Sequence, residues 1–166
     1  MDKSNHFWDK WDSYSKESPI WIYQADRKIS WVEQVAINED LEAFLPSWKS
    51  HNQPLNAIAK VLYSHFIVLM TDATAEKPGG CSLDESIQFI KNVGQKNNID
   101  FFNRWRFAYW KENQVVLADK EAFSEMVRSG DITSDTIVFD NMISTKDQFE
   151  SVWKKHLKDS WHMRFV

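Results

Sequence analysis

Hydrophobic and polar positions along this chain alternate between a period near two and a period near 3.6, and capping or turn signals mark the changes. Ile20-Trp21-Ile22-Tyr23-Gln24-Ala25, rich in β-branched and aromatic residues, predicts a strand. Ser30 with Glu33 makes a capping box, so a helix should begin at Trp31, with an apolar set of Trp31, Val35, Leu41, Phe44, Leu45 and Trp48. Pro46 predicts a kink or break, since an interior proline removes a hydrogen bond and costs ~3 kcal/mol. Leu55, Ala57, Ala59, Val61 and Tyr63 alternate with mostly polar neighbours as a half-buried strand. Phe66 to Met70 reads as a more buried one, in a hairpin turning at Ser64-His65.

Pro78-Gly79-Gly80 is loop chemistry, Ser82 with Glu85 reads as a second capping box, and Leu83, Ile87, Ile90 and Val93 follow at helical spacing up to a stop at Gly94. Trp105 to Trp110 and Val115 to Ala118 predict a hairpin across Lys111-Glu112-Asn113-Gln114. Asp119 caps a short helix with Phe123, Met126 and Val127 inside and Gly130 as its stop. Thr136 to Phe139 is a last strand, and Thr145 with Gln148 caps a helix presenting Phe149, Val152, Trp153 and Leu157. At the N-terminus Phe7, Trp8, Trp11 and Tyr14 form an aromatic stripe over residues 1–18. It either packs on the body or docks another chain, and self-packing is expected because so much exposed aromatic surface invites association. The tail Ser160 to Phe165 is expected to dock. The order β-α-β-β-α-β-β-α-β-α predicts a single α+β domain over 1–166, a sandwich of a mixed, mostly antiparallel sheet with helices packed on it. Its first six elements match a ferredoxin-like βαββαβ order, followed by a β-α-β-α extension.

Composition narrows the function classes. At 166 residues, 43% hydrophobic and 27% charged, the chain can bury a core without metal or disulfide support. Nine Trp and eleven Phe exceed ordinary use, and surplus aromatics suit a groove or a partner face. A net charge of −4 argues against general nucleic-acid binding. One cysteine cannot form an internal disulfide, and no signal-peptide h-region or run of ~20 apolar residues occurs, so the expected location is the cytoplasm, away from membranes.

Several clusters carry a resemblance: Trp21-Ile22-Tyr23-Gln24, Trp48 with His51, Tyr63 before Phe66-Ile67-Val68, Gly80-Cys81-Ser82 with Asp84 and Ser86, Val138-Phe139 with Asn141, Thr145-Lys146, and Ser160-Trp161-His162 with Arg164-Phe165. Over roughly residues 20 to 165 the chain resembles a family of small uncharacterised proteins, mostly from Bacteroidetes; the first 18 residues do not follow that pattern. Many members circulate under the label "ABC transporter ATPase". A P-loop needs G-x-x-x-x-G-K-[ST], whose amides cradle phosphates, and the four glycines at 79, 80, 94 and 130 form no such motif. The ATPase reading is rejected.

Two readings of Cys81 stand side by side. Beside a helix N-terminus it is a candidate nucleophile, with His51 or His162 as base and Asp84 to orient it, in a small hydrolase or transferase. Alternatively it is a small thiol buried beneath the loop, with Asp84 and Glu85 opposing a thiolate in the first turn. Trp48, Ser82, Ser86, Trp161, His162 and Arg164 are candidate binding residues, because histidines beside indoles suit a small polar ligand. Gln24, Asp26, Arg27 and Asn141 are ligand contacts or turn formers. No His-x₃-His or Cys-x₂-Cys spacing suggests a metal, and no cofactor is expected. The preferred expectation is a non-catalytic binding or interaction protein for a small polar ligand or a protein partner, its face built from the Cys81 loop, the Trp48/His51 loop and the Trp161-His162 tail.

Overall fold

Two antiparallel sheets face each other across a shared apolar layer, and helices cover both outer sides. The computed structural model describes residues 3–166, with side chains from His6 onward. In chain order the elements are α1 (Lys3–Ser13), β1 (Ile20–Gln24), α2 (Trp31–Phe44), a 3-10 turn (Leu45–Ser47), β2 (Lys49–Ser50), β3 (Gln53–Pro54), β4 (Ala57–Leu62), β5 (Phe66–Thr71) and α3 (Gly80–Asn97). They continue with β6 (Arg106–Lys111), β7 (Gln114–Asp119), α4 (Lys120–Ser129), β8 (Ile137–Phe139), α5 (Lys146–Val152) and β9 (Lys154–His156), then 3-10 turns at Leu157–Asp159 and Trp161–Phe165. One sheet runs β1-β5-β4, the other β7-β6-β8-β9, and β2-β3 is a separate ribbon.

The period of two sorts each strand between layers. Phe66, Val68 and Met70 of β5 face the shared layer with Ala108, Val115 and Phe139 of the second sheet. Ile67 and Leu69 face outward, Ile67 toward Ile37, Leu41, Ile90 and Val93 of α2 and α3, and Leu69 toward Trp48. On the second sheet Phe107, Tyr109 and Val138 turn to Phe123 of α4 and to Trp161 and Phe165 of the tail. The layers therefore stack as helix, sheet, sheet, helix. The fold is α+β with antiparallel sheets, as expected, but it departs from a ferredoxin-like core. Strands β1, β5 and β4 take three of that arrangement's places, whereas β6 pairs with β7 and β8 in the second sheet. The place beside β1 is taken: Pro19 bridges Thr145 and the Ile20 amide donates to the Ser144 carbonyl. A tight turn through Glu112 and Asn113, both at positive φ, ties β6 to β7 instead.

The N-terminal stripe packs on the body, with Phe7, Trp11 and Tyr14 buried in the shared layer. Buried Lys146 donates from Nζ to the Trp11 and Tyr14 carbonyls, both at 2.7 Å, and so caps the end of α1. The Ser30–Glu33 box is present and the chain breaks into the 3-10 turn at Pro46. The buried residues of α2 are Ile37, Leu41 and Phe44, however, and Trp31 and Val32 are each 76% exposed. The β4–β5 hairpin turns at Tyr63 and Ser64, both at positive φ, one residue earlier than expected.

Helix α3 corrects two expectations. It begins at Gly80 with Gly79 as its N-cap, so Ser82 lies inside the first turn and Glu85 beyond it. Ser82 is already helical there and so cannot act as the cap; its hydroxyl instead donates to the Lys49 carbonyl. Gly94 does not stop the helix; Asn98, left-handed at φ 54°, does. A Cβ at position 94 would lie 2.4 Å from the Ile99 carbonyl oxygen, so this glycine permits the close return of the chain. At α5 only half the expected box forms: Thr145 accepts from the Gln148 amide, but Gln148 Oε1 accepts from Ser144.

Candidate functional site

The sequence candidates fall into two separate groups. The first is the corner where β2 meets α3. The Trp48 ring is fully buried and donates from Nε1 to the Ser82 carbonyl at 2.8 Å. Ser82 Oγ donates to the Lys49 carbonyl at 2.7 Å, the Gly79 amide donates to Ser50 Oγ, and Ser86 Oγ donates to the Leu83 carbonyl. These contacts stitch the helix start to the ribbon and leave Trp48, Ser82 and Ser86 turned inward. Cys81 is exposed, not wedged beneath the loop. His51, at φ 50°, is exposed with its ring beside Gly79. Asp84 and Glu85 fall outside the first turn. Among the described residues no hydrogen bond links Cys81, His51 and Asp84.

The tail is the second group. Trp161 stacks on His162 with ring centroids 3.8 Å apart and donates from Nε1 to Asp140 Oδ1 at 3.0 Å. Lys155 Nζ donates to Asp140 Oδ2 at 2.7 Å. Burial would raise the Asp140 carboxyl, but bonds from Lys155, the Met142 amide and Trp161 hold it below its ordinary value. His162 is buried against Phe107 and Phe123, its Nδ1 paired with Ser160 Oγ. Burial pushes its pKa down to about 4, outweighing the nearby Asp140 charge. Arg164 is exposed. The expected three-part face is thus not assembled: Trp48 and Trp161 belong to different packing clusters.

Gln24 and Asn141 form a relay. Trp153 Nε1 donates to Asn141 Oδ1, Asn141 Nδ2 to Gln24 Oε1, and Gln24 Nε2 to the Arg106 carbonyl. Arg27 forks onto Glu33 and also bonds the Asn97 carbonyl at the end of α3, while Asp26 accepts from the Asp100 amide. These are joints between elements. Among the described residues no three His, Cys, Asp or Glu side chains converge as a metal site would require.

A cleft of about 530 Å³ lies elsewhere and draws on none of these residues. One wall is α1, through His6, Phe7 and Lys10. The other is the end of α2 and its 3-10 turn, through Glu42, Leu45 and Pro46, and the floor is Leu55 to Ala59. Since β4 pairs only with β5 among the described residues, the floor is the free edge of the first sheet. The alternation of residues 55–63 in the sequence marks the strand but not that it lies at an edge between two helices. No family model, curated protein or solved structure matches this chain.

Proposed function

We propose that the chain is a non-catalytic binding protein of the cytosol, similar in kind to the small Bacteroidetes proteins it resembles, and that it holds its ligand in the cleft between α1 and β4. The observation that carries this reading is the cleft itself: apolar surface from Phe7, Leu45, Pro46 and Leu55, with His6, Lys10 and Glu42 as the charged or polar groups of its walls. Concave apolar surface with few polar groups is the common form of a ligand site. The residues with chemical potential do not compete for the role. Trp48, Ser82 and Ser86 are engaged in structural bonds, and His162 sits in the tail's packing. A free, exposed Cys81 fits a reducing compartment. The same exposure is what favours the second reading, a Cys81-dependent hydrolase or transferase.

A thermal-shift screen of metabolites and short peptides tests the proposal, because a ligand at about 100 times its Kd adds ~2.7 kcal/mol to stability. Amide exchange of the stabilised complex should show protection at residues 7–10, 45 and 55–59. Protection gathered instead at 48–52 and 79–84, with loss of binding after iodoacetamide treatment, would overturn it in favour of the Cys81 reading.

A further inference from the structure

We propose that the cleft takes an extended polypeptide segment of a partner protein, added as a strand to the free edge of β4; this rests on the cleft being the binding site. In an antiparallel pair, backbone groups point alternately toward and away from the partner strand. The Asn56 carbonyl accepts from the Asp72 amide just beyond β5, which places Asn56, Ile58, Lys60 and Leu62 on the paired side. Ala57, Ala59 and Val61 then turn their N–H and C=O groups outward. The Val61 amide bears this out, donating away from the sheet to Asn38 Oδ1 of α2 at 2.9 Å. At the other end the Leu55 amide donates to the Trp48 carbonyl. Between these two closed positions lie the outward groups of Ala57 and Ala59, at the cleft floor.

Backbone complementarity of this kind selects an extended chain over a compact small molecule. Two outward residues match a segment of about four residues at ~3.4 Å per residue. The walls stand on opposite faces of β4, so side chains of an added strand would point alternately to them. One set meets Leu45 and Pro46 beside Glu42, which suits apolar residues and disfavours acidic ones; the other meets His6, Phe7 and Lys10. Lys10 Nζ makes no ion pair among the described residues, so an acidic side chain complements that wall. A second copy of this chain fits poorly, because its β4 edge is recessed between its own helices. The opposite edge of the sheet is also closed, at Ile20 and Pro19.

The test begins with selection of random phage-displayed heptapeptides on the full chain, followed by synthesis of enriched peptides with blocked ends. The expected peptides alternate apolar and acidic residues and slow amide exchange at Ala57 and Ala59 at least tenfold. N-methylation at every second peptide position should weaken binding at least tenfold, and at the intervening positions little; it leaves the protein untouched. Lys10→Glu should weaken acidic peptides severalfold. Strand addition is overturned, with cleft binding intact, if peptides protect the walls but leave Ala57 and Ala59 exchanging freely. It is likewise overturned if only small metabolites bind there, or if self-association protects those amides. Protection confined to 48–52 and 79–84 would sink both the strand proposal and the cleft reading.

Discussion

Where β2 meets α3, Trp48, Ser50 and Ser82 direct their polar atoms onto main chain: the indole to the Ser82 carbonyl, one hydroxyl to the Lys49 carbonyl, the other to the Gly79 amide. Next to it, at the edge of β4, the side chains are Ala57 and Ala59 and the main chain is what remains open. The two regions share a bond, since the Trp48 carbonyl receives the Leu55 amide at the start of the cleft floor. The residues singled out in the sequence as chemical thus hold the start of the cleft floor in place, and the backbone open to a ligand there belongs to alanines without functional groups. The corner supports the site without being part of it.

Breaking the corner should have the largest effect. Trp48→Ala removes a fully buried ring and leaves the Ser82 carbonyl without its donor, so a loss of about 3–5 kcal/mol is expected in urea denaturation. A loss below about 1 kcal/mol would mean the stitching does not hold the fold. Acid should act on the tail rather than on the cleft. His162 has a folded pKa of about 4 against an ordinary 6.5, so the unfolded chain takes up a proton that the folded chain rejects. Stability is then full above about pH 6.5 and falls as pH drops toward 4, by about 3 kcal/mol. Burial lowers His65 in the same direction and adds to the same slope. Equilibrium unfolding between pH 4 and 7 checks this, and His162→Gln should flatten the slope even if it lowers stability throughout. Lys146→Met sharpens the role of α1 as a wall. It removes the donor to the Trp11 and Tyr14 carbonyls, for a loss of about 2 kcal/mol, and should speed amide exchange in α1 and weaken any cleft ligand. Unchanged exchange in α1 would show that the aromatic stripe alone secures it.

Local signals in the sequence were reliable where the partner was also local. The Ser30–Glu33 box, the Asp119 cap and the Gly130 stop all form. Ser82–Glu85 satisfies the same pattern and fails because the chain turns helical two residues earlier, at Gly80, where the Ser82 hydroxyl ties the helix start to the Lys49 carbonyl, 33 residues away. Gly94 reads as a stop, yet its reason is the return of Ile99 against it. The spacing of Trp31 and Val35 suggests a buried face, but the side of α2 that packs is set by the sheet beneath it, through Ile37 and Leu41. The division into two sheets depends on Pro19 meeting Thr145, a pairing that no periodicity carries. The cleft was illegible for the same reason: an open edge is a property of what fails to pair with β4, and Ala57 and Ala59 carry no side-chain signal of it.

Cys81 offers the smallest expected effect and the sharpest contrast between the two regions. The thiol is exposed, beside a helix start already held by the Ser82, Trp48 and Gly79 bonds, so Cys81→Ser removes neither packing nor a hydrogen bond that anchors the corner. Its effect on stability should stay within about 0.5 kcal/mol, as for surface substitutions generally, and affinity at the cleft should not change. Trp48→Ala in the same corner should lower both, because the buried indole packs against Leu55 and Ala57 of the floor, whereas the Cys81 thiol is exposed and makes no hydrogen bond among the described residues. If C81S instead abolished binding with stability intact, the site would belong to the corner and the contrast between the two regions would be reversed.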